Sequence, residues 1–254
     1  MIVRTEQRGD AGHIGYVTVN NPRKHNTLGM PGKRAIAEAF RALSRDDALR
    51  VVVVTGAGDK SFIAGADLAE MKDLTPDQAE EEHTLTHLAC ESVRACPVPV
   101  IARINGYCLG FGMELAAACD LRIAAGHAKL GMPEVRVGIP SGMEAVLLPK
   151  LIGWGKTAEL VFTGDLIDAV EAQRCGFVEK MLPAAELDEA IEKWITSILA
   201  GGPRAIRLQK ALMRDWERMP VTDAIYQGIR ACVDARKTDE PRRLMEAFLN
   251  RKRK

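Results

Sequence analysis

The chain has almost no net charge: 35 Lys and Arg against 34 Asp and Glu leave +1. So even a balance provides no general electrostatic grip on nucleic acid or on an anionic membrane surface, and neither is expected as a partner. Long apolar runs are also missing. None approaches the roughly 20 residues of a bilayer-spanning helix. The start, Met1-Ile2-Val3-Arg4-Thr5-Glu6, turns polar at once and reads as no secretory signal. The cysteines, at 90, 96, 108, 119, 175 and 232, contain no CxxC pair and no zinc-type quartet. Such thiols are expected to be reduced and mostly buried, which implies a reducing compartment and a cytoplasmic location. There is no repeat of about 20–50 residues and no low-complexity segment.

Several familiar chemistries lack their motifs. Gly56-Ala57-Gly58 is no dinucleotide fingerprint, because Asp59-Lys60-Ser61 supplies neither a third glycine nor a helix start. No P-loop is present, and Ser141 has no GxSxG context. His83 and His87 are four apart, with Glu81 and Glu82 before them. Their order is not HExxH and nothing supplies a third ligand. They read as a solvated helix face, and no metal is expected.

A length of 254 residues with 47% apolar content suits one large domain, or one plus an appendage. Ile14 to Val19 alternates as a strand does and ends at Asn20-Asn21-Pro22. Ala35, Ile36, Ala39, Phe40 and Leu43 recur at helical spacing. Val51 to Val54 is a β-branched run of the kind buried on both faces. Thr75-Pro76-Asp77-Gln78 is a capping box opening a helix that runs to about Ala95. Val98 to Ile104 is the next strand, and Asp168 with Glu171 marks another helix start. Strands alternating with helices predict an α/β fold of repeated crossover units. From Glu186 onward the pattern is helical throughout, broken at Gly201-Gly202-Pro203. These patterns divide the chain into a core domain, 1–195, and a helical region, 196–254, which packs on the core or on another subunit.

The organising stretch is Ile101 to Pro140. Gly110 and Gly112 open a small-residue helical run, Met113 to Cys119, which holds Glu114 in its first turn. Twenty residues later Gly131-Met132-Pro133 delivers Glu134. An unpaired carboxylate among Gly, Ala, Leu and Cys is costly to bury, so both acids are read as entering one site. Paired acids there divide general-acid and general-base roles. The alternatives are a first-turn acid favouring its helix for Glu114, and an ion pair with Arg136 for Glu134. Ala64-Gly65-Ala66-Asp67 and Gly110-Phe111-Gly112 offer exposed backbone N–H groups, which stabilise developing negative charge; singly, each is also simply a tight turn.

Three segments, FIAGADLAEM (Phe62 to Met71), INGYCLGFGMELAAACDLRIA (Ile104 to Ala124) and LGMPEVRVGIP (Leu130 to Pro140), resemble the enoyl-CoA hydratase/isomerase, or crotonase, family. The similarity extends from Asn20 to the C-terminal AFLNRKRK. It implies a crotonase-like spiral of ββα units with a C-terminal helical trimerisation region, assembled as a homotrimer or dimer of trimers. It implies an acyl-CoA thioester substrate, and no cofactor beyond the coenzyme A that the substrate carries. By position, the oxyanion donors would be the backbone N–H groups of Ala66 and Phe111, the latter standing where the family usually has glycine. Glu114 would be the base that activates water for attack at C3, and Glu134 the acid that protonates C2. Lys24, Ala64, Phe248 and Arg251 fall where the family contacts the CoA nucleotide. The reaction implied is hydration of a 2-enoyl-CoA to a 3-hydroxyacyl-CoA. An isomerase using Glu134 alone, and a non-catalytic acyl-CoA- or RNA-binding relative, are the alternatives. Two segments depart from the family pattern. Pro140-Ser141-Gly142-Met143-Glu144 replaces a glycine-rich PGAGG, with Glu144 either altering the site or capping the next helix. Pro241-Arg242-Arg243-Leu244 lacks a common Glu-Gly.

Overall fold

The computed structural model describes residues 1–251, the side chain of Arg251 excepted. The expected CoA contact of Arg251 and the rest of the basic tail therefore lie outside the described residues. The chain opens with an antiparallel hairpin, β1 (Ile2–Gln7) and β2 (His13–Val19). Helix α1 (Met30–Leu43) leads to β3 (Leu49–Gly56). Then β4 (Ser61–Ile63), the short α2 (Leu68–Met71) and the long α3 (Pro76–Arg94) follow. Next come β5 (Val100–Ile104), β6 (Tyr107–Leu109), α4 (Phe111–Ala117), β7 (Leu121–Ala125) and β8 (Lys129–Gly131). Helix α5 (Leu148–Thr163), β9 (Leu166–Asp168), α6 (Ala169–Arg174) and β10 (Lys180–Leu182) close the core. Four helices end the chain: α7 (Leu187–Ala200), α8 (Pro203–Trp216), α9 (Val221–Ala235) and α10 (Glu240–Arg251). Among the described residues no helix is long and apolar enough to cross a membrane.

The strands form two sheets, ordered β1-β2-β3-β5-β7-β10 and β4-β6-β8-β9. Three successive units (β3 and β4, β5 and β6, β7 and β8) each give one strand to the large sheet and the next to the small one. All neighbours in this part of either sheet are parallel. A helix returns the chain each time, so the units wind as a spiral. The β-branched run of β3 explains why the sheet can be sandwiched. Its side chains alternate, with Val52 and Val54 facing the main core and Val51 and Val53 facing a second one. The second core is completed by Leu187, Ala190, Ile191 and Ile195 of α7. Residue 195 thus sits inside a helix that packs on the sheet, and the chain breaks afterwards, at Gly201-Gly202.

The capping box at Thr75 and the N-cap at Asp168 form as their sequences predict. Strand β1 and the three-residue strands β4, β6, β8 and β9 have no such signature, being exposed or too short to show a period. The small sheet nevertheless sets the site. Gly112 lets the start of α4 press on β4: a Cβ there would lie 2.0 Å from the carbonyl oxygen of Ile63. Neither backbone can give way cheaply. Gly112→Ala is expected to lower folding stability by about 3 kcal/mol, read as a fall in the urea midpoint. An unchanged midpoint would mean that α4 is not held against β4 in this way.

Candidate active site

The turn from β6 into α4 is the centre of the site. Gly110 has φ +49°, a left-handed backbone, and a Cβ there would come within 2.5 Å of Glu134 Oε1. Glycine meets both requirements, a strained turn and the close approach of a carboxylate. Phe111 follows as the first residue of α4, so its N–H has no acceptor inside the helix. On the opposite side, Leu28 bridges to Ala66 as in a parallel ladder. Leu28 donates to the Gly65 carbonyl at 3.2 Å and accepts from the Asp67 N–H at 3.1 Å. Extended backbone alternates its N–H directions, so the N–H of Ala66, between those two, points away from Leu28.

Both N–H-bearing residues line one cavity of about 530 Å³ together with Ala64, Glu114 and Glu134. Glu114 is only 3% exposed. Its Oε1 accepts from the Ala145 N–H at 3.2 Å. Burial, followed by the nearby charges of Glu134 and Glu144, pushes its carboxyl up from 4.5 to about 8. Glu134 starts a 3-10 turn, Glu134–Val137, and is half-buried; its Oε2 accepts from the Ser141 hydroxyl at 2.8 Å. Arg136 pairs with Asp165 instead, so the ion-pair reading of Glu134 does not hold.

Glu144 is not a helix cap. It follows Met143, whose φ of +40° is left-handed, and makes no side-chain cap bond. Its carboxylate is 5% exposed and bonded to His87 Nδ1 at 2.7 Å. Burial raises its pKa, against the pull of His87. His87 therefore serves a buried acid, and its helix face is not merely solvated. His83, unlike His87, lines the cavity, and no group of three potential metal ligands exists among the described residues.

The predicted CoA contacts separate. Ala64 lines the cavity. Lys24 is exposed and bonded at 2.8 Å to Asp67, which also lines the cavity and caps α2. Phe248 on α10 is exposed and lies with Leu244, Met245 and Leu249 in a separate patch. Sequence reasoning missed Lys33, Glu82 and Thr86, which all line the cavity. A signal existed: Lys33 precedes Ile36, Ala37 and Phe40 on the buried stripe of α1, and Glu82 and Thr86 share the stripe of Ala89, Cys90 and Val93 on α3.

The model for enoyl-CoA hydratase/isomerase matches residues 9–254. The chain belongs to the enoyl-CoA hydratase/isomerase family. A crotonyl-CoA hydratase of Syntrophomonas wolfei is 37% identical over 94% of this chain and 93% of its own. A short-chain-enoyl-CoA hydratase of Clostridium acetobutylicum is 31% identical over 95% and 93% respectively. Among solved structures, an enoyl-CoA hydratase from Bacillus anthracis superposes with a TM-score of 0.92 at 32% identity, covering 98% of this chain and 96% of that one. The two-sheet spiral is therefore the crotonase fold of this hydratase/isomerase family, as its sequence motifs imply.

The raised carboxyl of Glu114 has a thermodynamic signature. Its native state binds a proton more tightly than the unfolded chain does, so this group's contribution to stability falls as pH rises from about 4.5 through about 8. Glu114→Gln cannot ionise. Urea midpoints at pH 5 and 9 are expected to show the variant gaining on the wild type at the higher pH. Equal gaps at both pH values would mean that Glu114 is ionised at no cost.

Proposed function

We propose that the protein adds water to a 2-enoyl-CoA thioester and so forms a 3-hydroxyacyl-CoA. The observation that carries this reading is the meeting of two carboxylates, Glu114 and Glu134, with the start of α4 and the free side of Ala66 around one cavity. In this scheme the N–H groups of Ala66 and Phe111 hold the thioester oxygen as it gains enolate charge, each worth about 3–4 kcal/mol in the transition state. Glu114 takes a proton from water as its oxygen attacks C3, and Glu134 delivers one to C2. The pair therefore works while sharing a single proton. With that proton resting on buried Glu114, the resting pair is set for the reverse reaction, in which Glu134 removes the C2 proton and Glu114 protonates the departing hydroxyl. The scheme uses protons and backbone donors alone, without metal or redox cofactor. The names of the relatives, a crotonyl-CoA and a short-chain-enoyl-CoA hydratase, support the reaction class.

Ala64 and Lys24 are assigned to the CoA arm. Phe248 is likewise assigned to CoA, although it lies apart from the cavity of its own chain. On α9, Val221, Ile225, Tyr226, Ile229 and Val233 are all more than half exposed at helical spacing. Such a stripe supports a homotrimer or a dimer of trimers. The free cysteines fit a reducing cytoplasm.

Glu114→Gln and Glu134→Gln are each expected to cut kcat for hydration at least ~100-fold. Wild-type kcat/KM is expected to fall as pH rises through about 8, where Glu114 loses the shared proton. Steady-state hydration of crotonyl-CoA measures both effects. Near-normal hydration by Glu114→Gln would remove Glu114 from its assigned role as the base. For the assembly, light scattering should show Ile225→Asp with Ile229→Asp dissociating to smaller species. An unchanged mass would remove α9 from the interface.

A further inference from the structure

The wall of the cavity formed by α1 and α3 carries charge that the hydration scheme does not use. Lys33 on α1 is 1% exposed. Its ammonium donates to Glu82 Oε1 and, at 2.6 Å, to Thr86 Oγ1, both on α3. The same ammonium lies 5.0 Å from the centre of the Phe111 ring, which ties the cluster to the reacting end of the cavity. Thr86 spends its own proton on the Glu82 carbonyl at 3.1 Å. Glu82 is 2% exposed, and its second oxygen, Oε2, is buried with no hydrogen-bond partner. His83 Nδ1 stands 2.9 Å from that oxygen, but outside hydrogen-bonding geometry. All of these residues face the cavity.

As a brace between two helices this arrangement is a poor choice. Apolar side chains of similar volume hold helices together at no desolvation cost, and a buried acceptor left unpaired destabilises further. The pattern instead matches a site awaiting a ligand that can both donate and accept. We propose that Lys33, Glu82 and Thr86 form a subsite for a hydroxyl group on the acyl chain, so that the substrate class is a chain-hydroxylated acyl-CoA. This rests on the proposed acyl-CoA function for the identity of the chain in the cavity. The hydroxyl donates to Glu82 Oε2 and accepts from Lys33, whose ammonium has three protons and two such partners among the described residues. Lys33 and Glu82 carry one charge of each sign, so with His83 neutral the subsite suits a neutral group. A carboxylate would place a second negative charge against Glu82 Oε2. An alkyl end would leave that buried oxygen unpaired, the situation in which a polar site rejects an analogue lacking its hydrogen bond.

Calorimetric titration tests this without requiring turnover. Butanoyl-, hexanoyl- and octanoyl-CoA are compared with their ω-hydroxy counterparts, and adipoyl-CoA serves as the charged control. At one or more lengths the hydroxylated chain is expected to bind at least ~10-fold more tightly than its parent. The preference should shrink to about one in Lys33→Met/Glu82→Leu, with folding verified by circular dichroism. Thr86→Val, a smaller change, should weaken the same preference. The proposal is overturned if no hydroxylated chain outbinds its parent at any length, if adipoyl-CoA binds most tightly, or if the folded double variant keeps the preference. The wild-type comparison decides even if the double variant does not fold. Hydration of plain 2-enoyl-CoAs with no hydroxyl preference would sink this inference alone. Absence of turnover on every enoyl-CoA, with the hydroxyl preference intact, would sink the hydratase reading alone.

Discussion

The close approach of α4 to its neighbours is the constraint on which the site depends. Two glycines permit it. Gly112 lets the helix start press on the Ile63 carbonyl, and Gly110 leaves room for the carboxylate of Glu134. A side chain at Gly112 would push α4 away, taking with it the Phe111 N–H and the Glu114 carboxyl one turn later; one at Gly110 would displace the Glu134 carboxylate instead. A backbone donor and two acids thus reach one cavity through sterics. The two-sheet spiral contributes by delivering β4, β6 and β8 side by side, so that loops distant in sequence open on the same edge.

Electrostatics then divides the acids. Glu114, Glu134 and Glu144 are close enough for the latter two to raise the titration of the first, and burial raises it further. Each has a different compensation: one backbone N–H for Glu114, the Ser141 hydroxyl for Glu134 and His87 for Glu144. With two other carboxyls near it, buried Glu114 does not ionise cheaply. Lys33 and Glu82, which line the same cavity, bring one charge of each sign, so the pair adds polarity without adding net charge.

Much of this was legible along the chain because the relevant signals are local. The capping box at Thr75, the buried run Val51 to Val54, and the Gly110 and Gly112 turn each report within a few residues. The motifs carrying Ala66, Phe111, Glu114 and Glu134 also pointed to one family, and those residues do share a cavity. Other features were illegible for physical reasons. Three-residue strands have no period to detect. The division near residue 195 followed a change of pattern, whereas α7 continues through it because its apolar face completes the second core. Glu144 looked like a helix cap because an acid at a helix start commonly is one. Its burial depends on the left-handed turn at Met143 and on His87, 57 residues away.

The sequence by itself determined the fold class, the family and the acids and donors available, because these follow from short-range periodicity and motif spacing. Tertiary structure alone decided which polar residues are buried together. Lys33 and Glu82 are 49 residues apart and individually resemble surface charges. Only the packing of α1 against α3 removes them from water, and only that removal makes an unpaired oxygen costly enough to suggest a ligand.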